Sequence, residues 1–402
     1  MPSIPGIDKS RLDVLIYAHD GRGFGHVSRG VTIGMALRRR FPQLKVLFVS
    51  GFKQTATLVG PCPLEWMKLP SYETQIVDGK SKGRLGNTNI KNCYLGPARA
   101  SIIASIITNF KPRCVLVDHD PPGKRDELLP SLKIRKETDT VWILGIRAVV
   151  GEVAEIWSEV SKNAFVEHYH ALLWYGDEKV LGNRIPRAIG RYFTTKPIVT
   201  GYVSRFLEMK HWIPYDHSVK YAGTIAVPWL SETSLTFMQN LYKALSELGE
   251  GYGRWRIFTD LKKIEAAAAN LKFRFEKLPH CSIENVSDRY LVALANSRAA
   301  LIYGGYNSLT DIMAAKVPSV VIVRGMNDRE QDEHVRKISQ VNPDSIYVLK
   351  ESAAGWKTIA GGLEKQLNVA GEASESEIML NGAEVSAGKI VESLELSDEH
   401  PA

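Results

Sequence analysis

The sequence predicts an α/β protein made of two doubly wound halves, each with a parallel sheet. Three observations carry this expectation. Short apolar runs alternate with amphipathic stretches along nearly the whole chain, and the runs lack the in-out alternation of a half-exposed strand. Glycine-rich turns follow such a run and open a helical stretch near both ends, at His19–His26 and at Gly304-Gly305. The length of 402 residues suits two domains, each large enough for its own core.

Composition narrows the function classes. Hydrophobic content of 44% with 24% charged residues is that of a soluble globular protein, and no apolar run is long enough to span a bilayer. The start, MPSIPGIDKSRLDV, lacks the apolar core of a signal peptide, so a cytoplasmic location is expected. Cys62, Cys93, Cys114 and Cys281 are scattered without metal-like or disulfide-like spacing. The net charge is +7, yet the stretch from Gly371 to Ala402 holds eight acidic residues and one lysine, which leaves the body more basic. A basic body attracts nucleotide diphosphates, anionic lipid or nucleic acid. The aromatics are not interleaved with the basic residues and no nucleic-acid motif is present, so nucleic acid is not an expected partner.

In chain order, Val14–Ala18 is the first expected strand. It leads into His19-Asp20-Gly21-Arg22-Gly23-Phe24-Gly25-His26, and Val27–Arg40 follows with a helical pattern. The turn lacks G-x-G-x-x-G spacing, and no acidic residue closes the next strand at Leu44–Val49, so a dinucleotide site is weakly supported. The glycines instead make room beside His26, which is either a satisfied hydrogen-bonding residue or a base. Glu65–Leu69 is a further strand. Residues 78–92 are glycine-rich and basic, a connection or a loop that orders over substrate. Pro97–Phe110 reads as a helix.

Cys114–Val117 is a strand ending in Asp118-His119-Asp120-Pro121-Pro122-Gly123. Ligands of open α/β sheets bind beyond the carboxyl ends of strands, so this cluster is expected on the same side as His26. Asp118 either orients His26 or, with Asp120, caps the next helix; one His with two adjacent carboxylates is too common a pattern to indicate a metal. Val141–Arg147 and Ala171–Tyr175 are strands, and the boundary between halves falls near Gly201. This gives 1–200 as the first domain, 201–375 as the second and 376–402 as a C-terminal helix with an acidic tail.

In the second half, Val219–Ala222 reads as a strand with Gly223-Thr224 as its turn, followed by a helix over Leu235–Leu248 and a strand at Trp255–Thr259. Ile283–Ser287 ends another strand. Ala299–Tyr303 leads into Gly304-Gly305, with Asn307 and Ser308 where a helix N-cap belongs. Ser319–Val323 is the next strand, before the charged loop Arg324–Arg329. Ala383, Ala387, Ile390, Val391 and Leu394 mark one face of a final amphipathic helix.

The order Gly304-Gly305, Ser308, Asp311, Ala-x-x-x-Pro and Asp328…Gln331 resembles the donor-binding domain of GT-B glycosyltransferases, closest to the branch containing the peptidoglycan N-acetylglucosaminyltransferase. The Gly-His turn at Gly25-His26 is similar to the first loop of the same enzymes, nearly three hundred residues away. The resemblance implies two Rossmann-like domains facing across a cleft, with the last helix crossing back to the first. It implies that Gly304, Gly305 and Ser308 cradle a donor diphosphate, that Asp311 holds the ribose and that Gln331 touches the donor sugar; Asn307 is a further donor-binding candidate, although it and Tyr306 replace smaller residues common in the family. Gly223-Thr224 would be a second diphosphate turn, and Val286 would contact the base. Asp311 stands where the family has Glu, one methylene shorter, and only Gly223-Thr224 matches a richer glycine loop.

On this resemblance the chain is expected to be an inverting, metal-independent hexosyltransferase. It would move a sugar from a nucleotide diphosphate sugar, UDP-linked, to an acceptor hydroxyl, with no further cofactor. His26 would be the base and Asp118 its orienting partner, with Gly23, Gly25, Asp20 and Asp120 on the acceptor-side loops. The acceptor is a small molecule or a lipid-linked one, which would add a peripheral membrane face. The alternatives are a nucleotide-sugar 2-epimerase on the same fold and a nucleotide-sugar-binding protein without transferase activity.

Overall fold

The structure, a computed structural model, describes residues 11–19, 24–77, 80–84, 88–214, 218–227, 232–260, 265–287, 289–324, 330–369 and 377–399. Two compact units are present, Met1–Glu208 with Met379–Ala402, and Met209–Ile378.

The first unit is built on strands β1 (Val14–Tyr17), β2 (Val46–Ser50), β3 (Glu65–Lys68), a separate antiparallel pair β4 (Glu73–Val77) and β5 (Lys80–Arg84), then β6 (Cys114–Asp118), β7 (Val141–Arg147), β8 (Ala171–Tyr175) and β9 (Ile198–Val199). Seven of them form one parallel sheet in the order β3-β2-β1-β6-β7-β8-β9. Its central strands β1 and β6 are buried throughout, which explains their largely apolar sequences. The helix Gly25–Arg40 lies tightly on β1 and β2, because a methyl group at Gly30 would come within 2.8 Å of Phe48 and one at Gly34 within 2.7 Å of Leu64.

The C-terminal helix Gly382–Glu399 packs on the helix Gly25–Arg40, β6 and β7. The face expected from the sequence, Ala383, Ala387, Ile390, Val391 and Leu394, is the buried one. Gly201 seats the returning chain: its φ of +86° is open to glycine, and a side chain there would meet Met379 at 2.8 Å. Tyr202 N–H donates to Met379 O and Gly382 N–H to Tyr202 O, which closes the crossing.

The second unit holds β10 (Tyr221–Val227), β11 (Trp255–Thr259), β12 (Cys281–Asn285), β13 (Ser297–Tyr303), β14 (Ser319–Val323) and β15 (Ile346–Lys350), all parallel, in the order β12-β11-β10-β13-β14-β15. Its core includes Trp255, Phe237 and Phe275.

Three local expectations are corrected. Residues 78–92, expected as a loop, contribute β5 to the hairpin. Gly223 and Thr224 are not a turn: they lie mid-strand in β10, paired with Trp255 and Arg256 on one side and Ala299 and Ala300 on the other. Glycine is needed at 223 because a Cβ would sit 2.4 Å from the Trp255 ring, and the Thr224 hydroxyl is paired with that of Ser297 at 2.8 Å. Asn307 and Ser308 are not N-caps either, since the helix Tyr306–Ala315 is preceded by Gly305, whose extended backbone occupies the cap position.

Candidate functional site

Strand order places a topological switch in each unit, where successive crossovers leave in opposite directions and the carboxyl edge opens to a ligand. In the first unit it falls between β1 and β6, in the second between β10 and β13.

At the first switch, β1 leads by way of His19 to the helix that bears His26 in its first turn, and β6 ends on Asp118. His26 Nδ1 lies 2.5 Å from Asp118 Oδ2. Arg29, one turn further along the same helix, donates to both oxygens of Asp118, at 3.1 Å from Nε and 2.9 Å from Nη2. The Arg29 Nη2 to His26 Nδ1 distance of 3.1 Å follows from both groups converging on Oδ2.

Asp118 is almost sealed, its side chain 4% exposed, whereas His26 keeps 19%. Burial alone would raise the Asp118 pKa, but Arg29 and then His26 outweigh it and hold the carboxyl well below its usual range. The carboxylate is therefore ionised and accepts a hydrogen bond from Nδ1–H of a neutral His26, leaving the Nε2 lone pair as the basic position. Burial lowers the His26 pKa more than Asp118 raises it, with Arg29 and Arg147 adding to the fall. The ring is neutral at pH 7, and its place in a helix first turn acts in the same direction.

Two further histidines complete the cluster. The His19 ring centroid is 4.0 Å from that of His26, and that of His119, just past the end of β6, is 5.3 Å from it. Asp120 stands apart: its Oδ1 accepts from Ser161 at 3.0 Å, and burial pushes its pKa up to about 6. Gly25 is the first residue of the helix; Asp20 and Gly23 lie outside the described residues.

At the second switch, β13 runs through Gly304 and Gly305 into the helix Tyr306–Ala315. The two glycines differ. A methyl group at Gly304 would lie 2.5 Å from Val335, so this glycine serves packing, while the space beside Gly305 is open. Asn307 and Ser308 occupy the first turn, whose N–H groups have no acceptor within the helix, and both are part-exposed. Asp311, one turn on, is 7% exposed, and after burial of the hydroxyl itself it is the second cause of the raised pKa of part-buried Tyr290. The Tyr306 ring is 6.0 Å from that of His334, which places the helix Glu330–Val341, with Gln331 in its first turn, beside this edge. Asp328 lies outside the described residues. Val286 follows β12 directly, with its N–H already held by Thr259 O. Gly223 and Thr224, buried in mid-strand, are not at this edge.

Sequence reasoning missed Arg29, His19 and Arg324. Arg29 carried a signal, a charge at i+3 from His26 on an otherwise apolar helix face. Arg324, just past β14, reaches Glu351 at 3.2 Å and Ser234 at 2.8 Å and lies over the Tyr303 ring. Among the described residues no group of three or more His, Cys, Asp or Glu is arranged to hold a metal ion, and no helix is long and apolar enough to cross a membrane.

Compared by sequence, the chain matches no family model and no curated protein. Compared by structure, it is similar to UDP-GlcNAc 2-epimerase from Neisseria meningitidis, with a TM-score of 0.58 at 10% identity over 95% of this chain and 100% of the other. It is similar to MurG from Acinetobacter baumannii, with a TM-score of 0.54 at 11% identity over 94% and 99%. It is also similar to the glycosyltransferase SnogD from Streptomyces nogalater, with a TM-score of 0.54 at 14% identity over 95% and 99%. Two Rossmann-like units with parallel sheets of seven and six strands, and a last helix returning to the first unit, give this chain the GT-B fold.

Proposed function

We propose that the chain is an inverting glycosyltransferase that moves a hexosyl group from a UDP-sugar to an acceptor hydroxyl without a bound metal. The observation that carries this reading is the His26–Asp118–Arg29 arrangement at the switch between β1 and β6. It presents a neutral imidazole with one nitrogen fixed by a carboxylate and the other basic, which is what proton removal from an alcohol requires.

In the reaction the acceptor oxygen attacks the anomeric carbon from the face opposite the diphosphate. Its proton passes to His26 Nε2 as the new C–O bond forms. The bond from the anomeric carbon to the diphosphate oxygen breaks, and its electron pair leaves with the UDP. Asp118 stabilises the imidazolium formed on proton transfer. The open first turn at Gly305, Asn307 and Ser308 is the part of the second unit suited to the leaving diphosphate, by direct N–H donation and by the helix dipole. Asp311 and Gln331 are assigned to the ribose and the donor sugar, and Val286 to the base. The acceptor is a small or lipid-linked alcohol.

The test has two arms. UDP and UDP-sugars should raise the melting temperature of the whole chain, since a ligand that binds only the native state stabilises it by linkage. His26→Ala should lower turnover by about a hundredfold to ten-thousandfold with nucleotide affinity intact. A fully active variant, or one whose nucleotide binding falls in step with activity, would remove His26 from the base role. A second reading, sugar-nucleotide 2-epimerase, is supported by the fold that the chain shares with UDP-GlcNAc 2-epimerase. An epimer appearing from a UDP-sugar incubated without acceptor would establish it in place of transfer.

A further inference from the structure

His119 is the one histidine of the cluster whose backbone and side chain are both held in unfavourable states. Its φ is +77°, a region that residues other than glycine seldom enter, Asn, Asp and His more often than the rest. Its Nδ1 is buried with no hydrogen-bond partner. An orphaned buried polar atom typically costs about 1–3 kcal/mol, so the combination marks a site where the fold is working against local preference.

The surroundings enforce the conformation. His119 N–H donates to Gly145 O at 2.8 Å, and Trp157 Nε1 donates to His119 O at 2.9 Å. Behind it the loop is pinned by Tyr169 Oη on Pro121 O at 2.7 Å and by Glu127, which joins Tyr17 at 2.5 Å to Arg99 at 2.6 Å. The ring is thereby fixed between Trp157, at 5.5 Å, and His26, at 5.3 Å.

We propose that His119 is a substrate-contact residue, donating from Nε2–H to a second hydroxyl of an acceptor whose first hydroxyl is engaged by His26. Buried N–H groups without an acceptor are rarer than buried lone pairs, so the partnerless Nδ1 carries the lone pair and Nε2 carries the proton. The residue is only part-buried although Nδ1 is sealed, so the edge that reaches solvent is the one bearing Nε2. Burial first, and then repulsion from Arg147 and from any proton shared with His26, push the His119 pKa well down and keep the ring neutral. With the ring centroids 5.3 Å apart, a lone pair on one ring and an N–H on the other are spaced for neighbouring hydroxyls of a sugar or polyol and suit a lone alcohol poorly. The word acceptor rests on the transferase reading; the diol contact does not.

The amide isosteres separate the two nitrogens, since Gln places an N–H where Nε2 is and Asn where Nδ1 is. The whole chain, with histidine rings labelled with nitrogen-15, is titrated with methyl hexopyranosides and, separately, with cyclohexanol, and the ring signals are assigned through the single variants. The glycosides should perturb His119 Nε2 and His26 Nε2, and cyclohexanol should not perturb His119. Glycoside affinity should stay within about threefold in His119→Gln and fall about tenfold or more in His119→Asn and His119→Leu, tenfold being about 1.4 kcal/mol. A purely structural role predicts the opposite order, because Asn accepts a positive φ better than Gln. The proposal is overturned by an Nδ1–H tautomer, by unperturbed His119 signals across the glycosides, or by Asn outperforming Gln. Failure of UDP-sugars to bind would instead overturn the transferase reading and leave the glycoside result standing by itself.

Discussion

Replacing Arg29 with Met tests the electrostatic centre of the first unit. Arg29 is 2% exposed and makes two hydrogen bonds to Asp118, itself 4% exposed. Removing one partner of a buried pair costs about 3–5 kcal/mol, because the other charge is left without compensation. Here His26 remains 2.5 Å from the same carboxylate and supplies a positive charge when protonated. Arg29 also lowers the His26 pKa, so its loss moves that pKa up. Arg29→Met should therefore destabilise the first unit by about 3 kcal/mol at pH 8, where His26 is neutral, and by less at pH 5, as protonation of His26 begins to replace the guanidinium. Hydrogen exchange of peptides covering β6 reads this unit without assuming that the whole chain unfolds in one step. Adding Asp118→Asn to the variant should recover much of the loss at pH 8, since no buried charge then remains. An equal loss at both pH values, or no recovery in the double variant, would show that Arg29 acts through packing and that His26 does not couple to Asp118.

Three other outcomes follow from the same contacts. His26 and His119 both have lowered pKa values, so below the ordinary histidine pKa of about 6.5 the unfolded chain binds protons that the folded unit refuses, and stability falls as pH falls. Asp120, raised to about 6, acts oppositely, taking up a proton in the folded state between about 6 and the ordinary Asp value. The two histidines oppose Asp120, and exchange measurements from pH 7 to 5 should show a loss on acidification that is clearly smaller in His119→Gln. Gly304→Ala should destabilise the second unit by about 1–3 kcal/mol through the clash with Val335, whereas Gly305→Ala should be near neutral for stability yet weaken UDP binding in calorimetry. Gln366 is fully buried on the helix Trp356–Val369, with neither its oxygen nor its nitrogen partnered, so Gln366→Leu should raise the stability of the second unit by about 1–3 kcal/mol in denaturant titration.

What could be read from the sequence depended on how local the determinant is. Cys114–Val117 and Ala299–Tyr303 are legible as strands because a strand buried on both faces is written in its own residues, and the last helix is legible because its stripe has helical spacing. His26 and Asp118 could be paired in advance for a topological reason: each follows a strand, and carboxyl edges of a parallel sheet share one side. Their adjacency needs one further fact, that β1 and β6 are neighbours, which no single segment encodes. Gly223 shows the converse. A glycine after an apolar run reads as a turn, but here it answers to the Trp255 ring on the neighbouring strand, and the strand runs on to Val227. Gly304 and Gly305 look alike in sequence and part company only when Val335 arrives from another helix. His119 was the least legible, since neither its positive φ nor its unpartnered Nδ1 follows from its neighbours in the chain. Its contacts are Gly145, Trp157 and His26, which the fold gathers around it from β7, the bend after Val153–Ile156 and the helix Gly25–Arg40. Residues whose chemistry depends on being forced against their own preference are therefore the ones a sequence conceals, because the forcing atoms are elsewhere in the chain.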